Sequence, residues 1–144
     1  MESYLALFES DSEAGGYVVT FPDFGYGVTQ AETLEEALDM AQELLVLTIG
    51  DFMRDAKPLP IASHRRGGQY RRIELPALQC VKLDLYIAFL NSGLQKAEFA
   101  RRIGILKTHV DRLFSLRHRS RLDQIEAAFE ALGKRLNIEV HDAA

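Results

Sequence analysis

Lys96-Ala97-Glu98-Phe99-Ala100-Arg101-Arg102-Ile103-Gly104-Ile105-Leu106-Lys107-Thr108-His109-Val110-Asp111-Arg112-Leu113-Phe114 is the stretch on which the fold of this chain turns. Ala100 is small enough for two crossing helices to touch at its position. Four residues on, Gly104 permits the left-handed backbone of a tight interhelical turn, and six beyond that Val110 can plug the angle between the helices. Ile103, Leu113 and Phe114 complete a small core. The spacing predicts two short helices meeting at an angle, the second starting near Lys107. Leu106 and Gln95 are mediocre caps for such helices, because short polar side chains are favoured there.

Upstream, Val81, Leu85, Ile87, Ala88 and Leu90 can line a first helix that closes at Asn91-Ser92-Gly93. Downstream, Leu122, Ile125, Phe129 and Leu132 predict a last helix between Ser120 as N-cap and Gly133 as stop. Past Gly133, Leu136, Ile138 and Val140 alternate with Asn137, Glu139 and His141, the pattern of a short strand whose free edge invites pairing with a second copy. Residues 77–144 therefore read as an all-α domain ending in a strand. Its central motif resembles the helix-turn-helix of phage-repressor-like regulators. That resemblance implies that Lys107, Thr108, His109 and Arg112 face base edges in the major groove of double-stranded DNA. Arg101, Arg102, Arg117, Arg119 and Arg121 would then hold phosphates without reading sequence. His118 fits either that role or a plain surface histidine, and Asp111 fits poorly. Each arginine taken singly could equally be a surface salt-bridge partner.

Charge divides the chain in the same way. Residues 94–121 carry eight bases against Glu98 and Asp111, a net of +6, which could attract phosphate or could be a solvated helical face. Residues 1–60 carry Arg54 and Lys57 against twelve acids, a net of −10, and should repel nucleic acid. The whole-chain figure of −4 conceals this split.

The acidic part reads as α+β. Tyr4 to Phe8 and Tyr17 to Phe21 flank the turn cluster Glu13-Ala14-Gly15-Gly16 and predict a hairpin. A brief third strand is expected within Tyr26 to Ala31. Thr33 and Glu36 form a capping box, and Leu34, Ala37, Leu38, Ala41, Leu44, Leu45, Ile49 and Phe52 make one apolar stripe behind it. Lys57-Pro58-Leu59-Pro60 stops the helix, and a fourth strand is expected at Tyr70 to Leu75. Residues 1–76 thus form a first domain, a sheet packed under one long helix.

The run Tyr17-Val18-Val19-Thr20-Phe21-Pro22-Asp23-Phe24, then Gly27-Val28-Thr29-Gln30-Ala31 into Thr33-Leu34-Glu35-Glu36-Ala37, resembles the HicB antitoxin family. With Glu98 to Gly104 and Ala131 to Leu136 the similarity spans nearly the whole chain and matches the helix-turn-helix subgroup. The resemblance implies a partial RNase H-like first domain that binds HicA, a small mRNA-cleaving toxin, and a protein that represses the shared operon. An RNA-binding toxin should be basic, and −10 would steer it onto this surface, although solubility alone could explain the acids. Asp23, Phe24 and Tyr26 are candidate toxin contacts; for Phe24, as for Phe21, core packing is an alternative.

Other classes are less well served. RNase H relatives that cleave nucleic acid hold two metals on clustered carboxylates, and here the first two strands lack acids, with Asp23 alone beyond the second. No catalytic triad and no glycine-rich phosphate loop is legible, and the single cysteine, Cys80, with four scattered histidines matches no metal spacing. The expectation is a protein without enzyme activity, metal or cofactor. Met1-Glu2-Ser3 lacks the basic start of a secretion signal, and no apolar run is long enough for a membrane helix, so a cytoplasmic protein without membrane contact is expected. Two DNA half-sites imply a homodimer through the last helix and strand, and two dimers could assemble into a tetramer. The alternative function is a ligand-sensing repressor with no toxin partner.

Overall fold

Alternation at Tyr4, Ala6 and Phe8 sets the first layer, because all three share one face of strand β1 (Ser3–Ser10) and all are buried. In the computed structural model, which describes residues 2–143, β1 pairs antiparallel with β2 (Tyr17–Thr20) on one side and with β4 (Tyr70–Glu74) on the other. β3 (Val28–Ala31) joins β2, so the strand order is β3-β2-β1-β4. Phe8 lies opposite Val19 and Tyr4 opposite Ile73, and these cross-strand pairs are buried together. Gly16, in the β1–β2 turn, has φ +78°, and a Cβ there would lie 2.2 Å from the Ala31 carbonyl oxygen, so no other residue fits.

Helix α1 (Leu34–Arg54) covers this sheet. Thr33 Oγ1 accepts the Glu36 amide at 3.1 Å, whereas the Glu36 carboxylate accepts the amide of Glu32 at 3.2 Å, one residue earlier than a reciprocal capping box requires. The buried stripe is Ala37, Ala41, Leu45, Thr48, Ile49 and Met53; the predicted Leu34, Leu38, Leu44 and Phe52 flank it half-buried. Thr48 enters the core because its hydroxyl donates to the Leu44 carbonyl at 2.8 Å. Beyond α1 the chain runs irregularly to β4. The Tyr4 hydroxyl, donating to the Pro60 carbonyl at 2.8 Å, and the Ser63 amide, donating to Asp23 at 2.9 Å, tie that run down.

Two compact units result, Met1–Cys80 and Val81–Ala144. Helix α2 (Ala77–Ser92) begins in the first and continues in the second, which also holds α3 (Lys96–Ile103), α4 (Lys107–Phe114) and α5 (Leu122–Ala131). The class is mixed α+β, with a four-stranded antiparallel sheet and five helices among the described residues. The core of the second unit is aromatic. Phe99 is fully buried, with Phe89 at 5.1 Å and Phe114 at 6.0 Å between ring centres, and Val110, Ile125 and Ala128 are fully buried in the same unit.

Three expectations need correction. On α2, Ile87 and Leu90 are 37% and 55% exposed, while Lys82, Leu83, Leu85 and Phe89 are buried. A helix apolar on every side offers no preferred phase for periodicity to find. The N-cap of α5 is Arg121, one residue late, because the Ser120 hydroxyl is turned inward to within 3.3 Å of His118 Nδ1. Gly133 does stop α5 at φ +70°: its amide donates to Glu130, and that of Lys134 to Phe129, closing a Schellman turn. The strand expected over Leu136 to Val140 does not form. Ile138 and Val140 are 60% and 93% exposed, and a strand needs a hydrogen-bonded neighbour that the single chain does not give it.

Candidate nucleic-acid interface

Two eight-residue helices, α3 and α4, are separated by the three residues Gly104, Ile105 and Leu106. Gly104 sits at φ +86°, ψ +33°, a left-handed conformation that stops α3; its amide and that of Ile105 both donate to the Ala100 carbonyl, at 2.9 and 3.0 Å. Ala100 and Val110, the other two residues singled out by spacing, are both buried. Neither Gln95 nor Leu106 makes a side-chain cap.

With Val110 and Leu113 turned into the core, the other side of α4 is left to solvent. Lys107, Thr108 and Arg112 are exposed there, Thr108 and Arg112 four residues apart and so on one face. His109 is only half-exposed and joins Arg112, Leu113, His118, Asp123 and Ala127 in lining a cleft of about 370 Å³. Asp111, an awkward residue beside phosphate, is engaged by the Lys96 ammonium at 2.6 Å.

The remaining cations fall into two groups. Arg101 and Arg102 share Glu98, at 2.7 and 3.3 Å, and Arg121 lies 3.2 Å from Asp123. These pairs are solvent-exposed and therefore weak, easily exchanged for a phosphate. Lys107, Arg112, Arg117 and Arg119 form no ion pair among the described residues and are all exposed. Arg117, Arg119 and Arg121 stand on the loop that leaves α4, next to the end of that helix.

One residue that the sequence reading passed over organises this loop. Lys82 on α2 is 0% exposed, and its ammonium donates to the carbonyls of Arg112 (3.0 Å), Ser115 (2.6 Å) and His118. Burial pushes the Lys82 ammonium down from its ordinary value to about 8. Its signal in the sequence is a charge at the centre of Cys80-Val81-Lys82-Leu83, where an apolar residue would be unremarkable.

The other candidate contacts lie in the first unit. Phe24 is buried among Tyr4, Phe21 and Phe52, with its ring centre 4.6 Å from that of Tyr4 and 5.3 Å from that of Phe52. Asp23 accepts the Ser63 amide. Tyr26 is 48% exposed and stacks on Phe52 at 6.0 Å, so of the three it alone presents a ring to solvent. Burial, then the charges of Asp51 and Asp55, raise its hydroxyl pKa. Burial, then Glu2 and Asp23, raise that of Tyr4 to about 12, which keeps it a donor to Pro60. Among the described residues, no three His, Cys, Asp or Glu side chains cluster to hold a metal, and no helix is long and apolar enough to cross a membrane.

Residues 3–84 match the family model described as "HicB_like antitoxin of bacterial toxin-antitoxin system". The chain is 36% identical to Antitoxin HicB of Escherichia coli over 86% of its own length and 89% of that protein. It is 34% identical to Antitoxin HicB 1 of Photorhabdus laumondii, over 89% and 81%. A chain of the solved Toxin-Antitoxin complex from Streptococcus pneumoniae is 39% identical over 44% of this chain and 45% of its own, with a TM-score of 0.41.

Proposed function

This chain belongs to the HicB-like antitoxin family, and from that premise we propose that it neutralises a HicA-type mRNA-cleaving toxin and represses its own operon by binding operator DNA. On this reading α3 and α4 are a helix-turn-helix. Lys107, Thr108 and Arg112 read base edges, with His109 at the margin, while Arg101, Arg102, Arg117, Arg119 and Arg121 hold phosphates. The observation that carries the reading is the division of α4 into a face sealed by Val110 and Leu113 and an opposite face bearing Thr108 and Arg112. An α-helix about 10–12 Å across fits a major groove about 12 Å wide.

The sheet unit, residues 1–76 in this division of labour, takes the toxin. Its net charge of −10 over residues 1–60 complements a basic RNA-binding protein and would speed encounter. Tyr26, exposed on its Phe52 support, is the aromatic contact of choice; Asp23 precedes it by three residues, and the buried Phe24 packs on the same Phe52 ring. The four-stranded sheet under one long helix is read as a partial RNase H-like fold that has lost the carboxylates of the nucleases. Two copies of the chain would engage two half-sites as a dimer, and the exposed Leu122 on α5 supplies apolar surface for it. The setting is the cytoplasm.

Co-expression with the reading frame beside its gene, followed by mobility-shift titration of the upstream DNA with and without the copurified protein, tests both halves. A short basic partner should copurify, and the DNA should shift. Failure to capture such a partner removes the antitoxin role and favours a ligand-sensing repressor; failure to shift removes the operator role.

A further inference from the structure

The backbone from Arg112 to Ser120 runs as successive short turns. The Ser115 amide donates to the Arg112 carbonyl, that of His118 to Ser115, and that of Ser120 to His118, at 3.3, 3.2 and 3.1 Å. Each of these three carbonyls accepts a second bond, and in every case the donor is the ammonium of Lys82. An ammonium has three protons, so its hydrogen-bonding capacity is filled by one segment of backbone. Carbonyl dipoles at the end of α4, where partial negative charge collects, help to make a buried cation tolerable.

The geometry has a directional consequence. With the carbonyls of Arg112, Ser115 and His118 turned toward one interior point, the exposed Arg117 and Arg119 stand on either side of the last anchored residue. We propose that Lys82 is a positioning residue for DNA binding, whose buried ammonium clamps the 112–120 backbone so that Arg117 and Arg119 are held in place for two phosphates. This rests on the operator-binding reading and adds a residue that never touches DNA. The loop is ordered before DNA arrives, so binding does not have to order it.

The test uses the full chain and a mixed-sequence duplex of about 30 base pairs, roughly three helical turns. Lys82→Met keeps an unbranched apolar stem and removes the donors. The slope of log affinity against log salt should fall by about 2, because each lost phosphate contact accounts for roughly 0.9. The double variant R117A/R119A should lose the same amount, and adding K82M to it should change nothing further. A residue that merely supports the domain would weaken binding in both backgrounds, and that result overturns the proposal. Hydrogen exchange gives an independent reading: amides of Ser115, His118 and Ser120 should exchange faster in K82M while those of Gly104 and Ile105 do not. Equal protection of the loop overturns the clamp.

Should K82M not fold, the wild-type chain labelled with nitrogen-15 lysine decides. The Lys82 ammonium should exchange its protons far more slowly than that of exposed Lys107, and equal rates overturn the clamp. A wild type that ignores the duplex overturns the DNA reading and the positioning role with it. A wild type that binds, with K82M binding identically, overturns the positioning role alone.

Discussion

The two units treat positive charge in opposite ways. Over residues 1–60 the first has two bases against twelve acids, and the one polar side chain buried in its helix, Thr48, is a neutral hydroxyl bonded to its own helix. The second buries a whole ammonium and uses it to shape a loop of further cations. Their irregular segments differ accordingly. The run after α1 is tied at Pro60 and Ser63 by two separate neutral-donor bonds, whereas in the loop after α4 three carbonyls converge on one charged group. The lesson is that a short loop can be given a defined backbone without a core of its own, provided that one buried donor satisfies several carbonyls at once.

The sharpest way to break this comparison is to empty each core in turn. Phe99→Ala should destabilise the helical unit by about 3–5 kcal/mol and Leu45→Ala the sheet unit by about 2–5 kcal/mol, since both side chains are fully buried. Denaturant titrations would measure these, and binding assays would add the functional half. Phe99→Ala should abolish DNA binding while sparing partner capture, and Leu45→Ala should do the reverse. If either variant loses both, the units do not work separately.

Smaller changes sharpen it. Arg112→Ala should weaken operator binding by about 1–3 kcal/mol and relax preference at one base position, measured by titration against single-base operator variants; unchanged affinity removes it from the interface. Gly104→Ala should cost roughly 1–2 kcal/mol through backbone strain alone, because a Cβ there meets nothing within 4 Å. Thermal unfolding would register it, and an unaffected midpoint would mean that the turn relaxes without penalty. Thr33→Ala, at the start of α1, should cost about 1 kcal/mol by leaving the Glu36 amide without its acceptor, and it should leave DNA affinity untouched.

The local geometry of α3 and α4 was legible in the sequence. Ala100, Gly104 and Val110 are four and six residues apart; Gly104 is left-handed, as a tight turn needs, and Ala100 and Val110 are buried. The exposed Lys107, Thr108 and Arg112 followed from the same phase. Lys82 was not legible, since its three acceptors lie thirty or more residues away and are backbone atoms that any sequence possesses. Nor could the pattern decide that Phe24 turns inward while Tyr26 stays out, for both are aromatic residues in the short link between β2 and β3.

By itself, then, the order of residues determined the hairpin, the long capped helix, the turn at Gly104 and the separation of acid from base, because these depend on side-chain period, on allowed φ and on composition, all properties of near neighbours. Only the tertiary structure decided which face of α2 is buried, that the alternation at Ile138 and Val140 yields no strand in a single chain, and where Lys82 ends. The physical reason is common to all three: a helix without a polar side, a strand without an edge to join and a charge taken out of water each take their final state from whatever the rest of the chain places beside them.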